Sequence, residues 1–166
     1  MLRRPMRQEK AMLEIRPVLE KVVTDVCAAV CPRTMVVADL GCSSGPNALR
    51  FVSDVIRVTG DCCRRSRRDP PELQFFLNDM PGNDFNSLFR SFARRSKKMA
   101  MAPHYVVGLP GSFYTRLFPG RTVHFFHSSY SLMWLSQVFY LHNVLPWLKI
   151  HTLFFTLFFL MLKFFL

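Results

Sequence analysis

Acids are scarce in this chain: 11 Asp and Glu stand against 22 Lys and Arg, a formal charge of +11. The shortage is uneven, because residues 139–166 contain no acid and no glycine, and Lys149 and Lys163 are their only charged side chains. Cysteine is also sparse. Cys27, Cys31, Cys42, Cys62 and Cys63 form no even disulfide framework and no paired Cys-x-x-Cys zinc spacing, which excludes a disulfide-stapled secreted module and a zinc ribbon. Reduced thiols and a cytoplasmic setting are the economical reading. The arginine-rich residues 1–10 have no apolar core of a secretory signal. A Gly-x-Gly-x-x-Gly dinucleotide fingerprint is missing too.

The excess of positive charge gathers in two runs, Arg64–Arg65–Ser66–Arg67–Arg68 and Arg94–Arg95–Ser96–Lys97–Lys98. Such runs can neutralise phosphates, so a basic, non-catalytic nucleic-acid-binding module is one competing class. They fall between expected core elements without interleaved aromatics, and solvated loops and helix ends are the better reading. No specific nucleic-acid partner is expected.

What the chain does have is a stretch around which the rest is organised, residues 35–47, Met-Val-Val-Ala-Asp-Leu-Gly-Cys-Ser-Ser-Gly-Pro-Asn. An apolar strand reaches Asp39, turns through Gly41, Cys42, Ser43, Ser44 and Gly45, and meets Pro46, which suits the first helical position. Strand, tight turn and helix N-terminus bring a ligand close to bare backbone N–H groups. A carboxylate at the strand end would repel a phosphate and suits a cationic or hydroxyl-rich ligand, such as the aminoacyl part or ribose of S-adenosylmethionine. Mere strand-to-helix punctuation fits the pattern equally well.

Along the chain, Met12, Ile15, Leu19, Val22 and Val26 mark one apolar face of a helical segment over 7–29, with Pro17 predicting a kink or two helices. Strands are expected over 35–40, 73–77, 105–109 and 122–127. Helices are expected over 46–58 and from Asp84 or Asn83 to about Arg95, with a polar, basic loop over 60–71. Alternating strands and helices imply an α/β fold, a parallel sheet with helices on both faces and ligands beyond the carboxyl ends of the strands. Asp39, Asp79, Ser112–Phe113 and Ser129–Tyr130 all fall at such ends. On that rim Asp79 can accept from two ribose hydroxyls, or simply cap a turn. Asn47 can hold a carboxylate or amine, or bond locally. Cys42 and Met80 offer backbone and apolar contact, and Ser112 and Phe113 can hydrogen-bond and stack on an adenine. His104, His124 and His127 lack a Ser or Cys partner at motif spacing and read as structural or exposed. A missing general base is compatible with methyl transfer from a sulfonium to an ionised carboxylate, which has no proton to remove.

Four segments then carry a resemblance: ADLGCSSGPN from Ala38, FFLNDMPGNDFNSLF from Phe75, GLPGSFYTRLFP from Gly108 and HSSYSLMWLSQV from His127. In this order the chain resembles the SABATH family of plant S-adenosylmethionine-dependent carboxyl methyltransferases, over roughly residues 8–138. The resemblance implies a Rossmann-like class I methyltransferase sheet with flanking helices and S-adenosyl-L-methionine as cofactor. It places Asp39, Gly41, Cys42 and Asn47 at the methionine end, Asp79 on the ribose, Met80, Ser112 and Phe113 at the adenine, and Ser129 in a further cofactor-lining segment. Gln8, Tyr130, Met133 and Trp134 match the acceptor pocket, where a small aromatic carboxylic acid of the salicylate, benzoate or anthranilate kind is implied. No metal is assigned.

Departures accompany the match. The family's amino-terminal Asn-Ser-x-x-Gln keeps only its Gln, as Gln8. The link between the second and third strands is short. Residues 1–138 read as a partial cofactor-binding domain, truncated before the helical cap and last strands, and 139–166 as a Phe-rich apolar tail foreign to the family. Residues 153–166 are shorter than the ~20 apolar residues of a membrane span and include Lys163, so a membrane-associated fragment is the weaker alternative. The tail also lacks the polar-face period of a core helix. A chain of this kind is expected to have little or no turnover and to leave a sheet edge open to pairing. A full-length form remains open to homodimerisation.

Overall fold

A computed structural model describes residues 7–30, 32–95, 103–129, 131 and 156–159. The order is α1 (Arg7–Ala29), β1 (Thr34–Leu40), α2 (Pro46–Ser66), β2 (Glu72–Asp79), α3 (Phe85–Arg95), β3 (His104–Pro110), β4 (Phe125–Ser129) and β5 (Thr156–Phe159). The sheet runs β3-β2-β1-β4-β5. Its first four strands are parallel, and β5 joins β4 antiparallel.

Both central strands bury residues of either face, as a parallel sheet under cover requires: Met35, Val37, Ala38 and Asp39 in β1, and Leu73, Phe75, Leu77 and Asn78 in β2. One face carries Val37, Phe75 and Phe125. There Phe51 of α2 reaches Phe125, with ring centroids 6.2 Å apart. Further along the same face Gly108 of β3 lies so close to Phe85 and Phe89 of α3 that a Cβ would sit 3.0 Å from the Phe85 ring.

Among the described residues, which leave out 130 and 132–155 after β4, α2 and α3 therefore lie on one face. The reason is handedness: two successive right-handed crossovers moving the same way along a sheet stay on the same side. The chain then reverses, and the 111–124 connection returns to β4 across the other face. Phe118 packs edge-on there against Phe76 and Phe126 at 5.4 and 5.8 Å. On the edge strand β3, Tyr105 and Val107 remain exposed.

Two helices differ from the sequence pattern. α1 is a single helix with Pro17 inside it. α2 continues past Val58 to Ser66 and takes in the stretch that reads as a loop. Gly60 costs the helix about 1 kcal/mol relative to Ala, but burial of Val58, Thr59, Cys62 and Cys63 continues its apolar face. Pairs of Arg57 and Arg64 with Asp61 support the added turns. The helix ends at Arg67, left-handed at φ 53°, where Arg68 N–H donates to the Cys63 carbonyl. Across α1 and α2, Arg57 bonds Glu20 and Arg16 bonds Asp54 at 3.2 Å.

The edge expected to stay open beside β4 carries β5, with Phe126 opposite Phe159 and Ser129 opposite Thr156. A strand with unpaired N–H and C=O groups is a template for any extended segment, and the β-forming tail supplies one. Among the described residues no helix is long and apolar enough to cross a membrane.

Candidate functional site

Because β2 lies on one side of β1 and β4 on the other, the strand order reverses at β1, the position beyond whose carboxyl end open α/β sheets bind their ligands. The glycine turn occupies that switch point. Gly41 has φ 76°, so a side chain would be strained, and a Cβ would lie 2.2 Å from Ser131 Cβ. Glycine is required here for both reasons. Ser43, at φ 56°, is a second left-handed residue in the same turn.

The rim is bonded strand to strand. Gly41 and Cys42 N–H both donate to the Asn78 carbonyl at 2.9 Å. The Asn78 amide in turn donates to the carbonyls of Leu109 at 2.8 Å and Gly111 at 2.9 Å, joining β2 to the loop after β3. Asp79 accepts from Ser43 N–H at 2.6 Å through Oδ2 and from Met80 N–H at 2.8 Å through Oδ1. Its own carbonyl accepts from Gly111 N–H. Each carboxylate oxygen retains a further lone pair for a hydroxyl. From the β4 side, Ser128 and Ser131 hydroxyls donate to the Leu40 carbonyl at 3.1 and 2.8 Å.

The expected residues divide by exposure. Asp79, Asn47, Ser112, Phe113 and Ser129 are half-buried at the rim, and Met80 is exposed over 58% of its surface. A thioether so placed is apolar surface offered to a ligand. Ser112 accepts at its hydroxyl from Tyr114 N–H and at its carbonyl from Thr115, which shapes the loop, while the Phe113 and Tyr114 rings lie 5.0 Å apart.

Asp39 departs from the expectation of a ligand-facing acid. It is only 4% exposed, and its Oδ1 lies 2.7 Å from Nδ1 of the equally buried His127. Cys42 is buried, and desolvation together with the nearby carboxylates of Asp39 and Asp79 raises its pKa far above the ordinary thiol value. It is held as an unreactive thiol. Tyr130, Met133, Trp134 and the Gln8 side chain lie outside the described residues.

Sequence reasoning passed over Asn78, His127, Ser128 and Ser131 as site-building residues. Polar side chains at the ends of otherwise apolar strands were the available signal. Among the described residues no group of three His, Cys, Asp or Glu side chains is placed to hold a metal.

An open parallel sheet with a glycine turn and a carboxylate at its switch point is the arrangement of a small-molecule-binding α/β enzyme domain. The family model described as SAM dependent carboxyl methyltransferase matches residues 3–142, and the chain belongs to that family. It is 55% identical over 142 residues to anthranilate O-methyltransferase 3 of Zea mays, covering 78% of this chain and 38% of that protein. An inactive anthranilate O-methyltransferase 1, also of Zea mays, is 49% identical over 145 residues with the same coverage. The fold is similar to a solved loganic acid methyltransferase with SAH at a TM-score of 0.63 and 32% identity, covering 79% of this chain and 37% of that one. The chain thus spans less than two fifths of the length of these relatives.

Proposed function

We propose that this chain carries the cofactor-binding part of an S-adenosylmethionine-dependent carboxyl methyltransferase whose acceptor is a small aromatic acid. The carrying observation is the rim itself: three parallel strand ends converge on one glycine turn, with Asp79 beside it in a chain of this family. The donor set fits the cofactor. Asp79 offers acceptor positions to ribose hydroxyls, Met80 and Phe113 offer apolar and aromatic surface to an adenine, and no basic side chain is needed for a phosphate.

When bound, S-adenosylmethionine supplies a methyl group activated by a sulfonium. The protein's part is to align and desolvate, since an ionised carboxylate acceptor gives up no proton. Asp79 anchors the ribose, the backbone of Gly41 and Cys42 lines the methionine end, and Asn47 holds its charged terminus. Asp39 serves from below, through His127. Ser129 lines the cofactor, while Gln8, Tyr130, Met133 and Trp134 orient the acceptor carboxylate and cover its ring. Anthranilate is the aromatic acid in the names of both maize relatives, and it heads the acceptors to assay, with benzoate and salicylate.

Calorimetric titration of the chain with S-adenosylhomocysteine tests the reading. Saturable 1:1 binding, weakened at least tenfold by Asp79→Ala, is expected. Binding unaffected by that change would remove the ribose assignment.

A further inference from the structure

We propose that His127, Ser128 and Ser131 form a clamp that sets the shape of the glycine turn, so that residues preceding the acceptor motif in sequence also determine cofactor affinity. His127, Ser128 and Ser131 are its positioning residues, and none needs to touch the cofactor. The inference rests on the cofactor reading above and adds to it a mechanical link between the two halves of the site.

Three observations converge. First, the peptide plane between Leu40 and Gly41 is held at both ends. Its carbonyl accepts from the hydroxyls of Ser128 and Ser131, and its N–H donates to the Asn78 carbonyl. With one proton each, the two hydroxyls either both donate to that carbonyl or reach it in relay, and in both cases the plane cannot rotate without breaking its side-chain bond and its bond to Asn78 together. The two hydroxyl oxygens lie 2.5 Å apart, so either can serve as the relay.

Second, Ser131 fills the space a side chain at residue 41 would need, its Cβ 2.2 Å and its Oγ 2.7 Å from where a Cβ would stand. The clamp therefore sits in van der Waals contact with the turn as well as bonding it.

Third, two residues before Gly41, Asp39 meets His127 at its register position on β4. The imidazole is 2% exposed and stacks on Phe51 of α2, centroids 4.0 Å apart and planes 11° apart. A carboxylate can only accept, so the bond needs the proton on Nδ1. Locked by the stack, His127 holds Asp39 against both β4 and the first turns of α2. Tyr130 lies between the clamping serines in sequence, and Met133 and Trp134 follow at once. A displacement of Ser128 or Ser131 reaches the cofactor turn through these bonds.

The test uses the whole chain with two readouts, amide hydrogen exchange and calorimetric affinity for S-adenosylhomocysteine. The variants are Ser128→Ala with Ser131→Ala, His127→Phe, which keeps a ring on Phe51 but loses the donor, and His127→Asn, which keeps a donor near the Nδ1 position. Val55→Ala, in the α2 core, controls for general loss of stability. The serine pair and His127→Phe are expected to speed exchange of the Gly41, Cys42 and Ser43 amides at least tenfold relative to amides of β2. Affinity should fall about tenfold in both. His127→Asn should recover most of each loss, and Val55→Ala should change all amides together. Turn amides that exchange in step with β2 in the serine variant, or an Asn variant no better than Phe, would overturn the clamp. Should the parent fail to bind S-adenosylhomocysteine, the cofactor reading fails, while the exchange data still decide the clamp.

Discussion

The two ends of the sheet are built on different principles. At the carboxyl end, polar groups from four strands are tied by bonds between residues 31 to 91 apart in sequence, as with Asn78 to Leu109 and Ser131 to Leu40. At the amino end, α1 and the last turns of α2 pack through apolar side chains and thiols, with a 190 Å³ cavity lined by Cys27, Cys62, Cys63, Arg68 and Pro71 among others. Burial drives the Cys27 thiol up to about 12, so it stays a neutral small hydrophobe. Several of the ion pairs there join neighbours three or four residues apart on one helix. One end holds a shape and the other holds the layers together. Directional bonds fail when a single group moves, whereas apolar packing tolerates small adjustments.

That contrast breaks most visibly at Gly41. Gly41→Ala combines a left-handed backbone with a 2.2 Å clash, and a loss of about 3 kcal/mol is expected in denaturant unfolding. It should also abolish cofactor binding. A mild effect would mean that the rim adjusts as freely as the helix junction.

Next in size is Asn78→Leu, which keeps the branching but leaves the carbonyls of Leu109 and Gly111 without their donor. A cost of about 2 kcal/mol follows from two half-buried acceptors left unpaired. Leu77→Met beside it, a volume-conserving apolar swap, should cost less than about 1.5 kcal/mol. Equal losses for the two would erase the distinction between bonded and packed positions.

Gly60→Ala probes the other end. An added Cβ there meets nothing within 4 Å, so a gain of about 0.5–1 kcal/mol is expected from restricted unfolded-chain freedom. A loss instead would show that the helix junction is as tightly specified as the rim.

The smallest effect is a pH dependence at the start of β4. His124 Nδ1 accepts the Val36 N–H at 3.1 Å, and burial lowers its pKa. A base whose folded value lies below its unfolded value, about 6.5, takes up protons more readily when unfolded. Its contribution to stability is therefore complete above about pH 6.5 and declines as pH falls through the folded value. Melting curves from pH 7.5 to 5 should show a steeper decline for the parent than for His124→Asn, which keeps an acceptor but does not titrate. Parallel curves would remove His124 as the cause.

Much of the fold was legible because local pattern and burial agree. Val36 and Val37 before a glycine turn, Pro46 opening a helix, and Asp84 capping α3 by accepting from Ser87 N–H are all short-range signals. The extent of α2 was not legible. Gly60 and the arginines after it read as a stop, and only the continuing burial of Cys62 and Cys63 against α1 overrides them. The rim was legible as a set of strand ends, since chain order and parallel pairing place them together.

What the sequence by itself determined, then, is the class of fold, the switch-point turn and the acid beside it, because period, turn chemistry and motif order act over a few residues. The tertiary structure alone decided what each polar group does. Asp39 and Asp79 both end strands beside the turn, yet one is buried against His127 and the other takes the Ser43 amide and keeps a half-exposed face. Their roles diverge because a carboxylate's function depends on which donors reach it and how much water remains. Those are set by residues 36 and 88 positions away, brought into reach only by the register of the sheet.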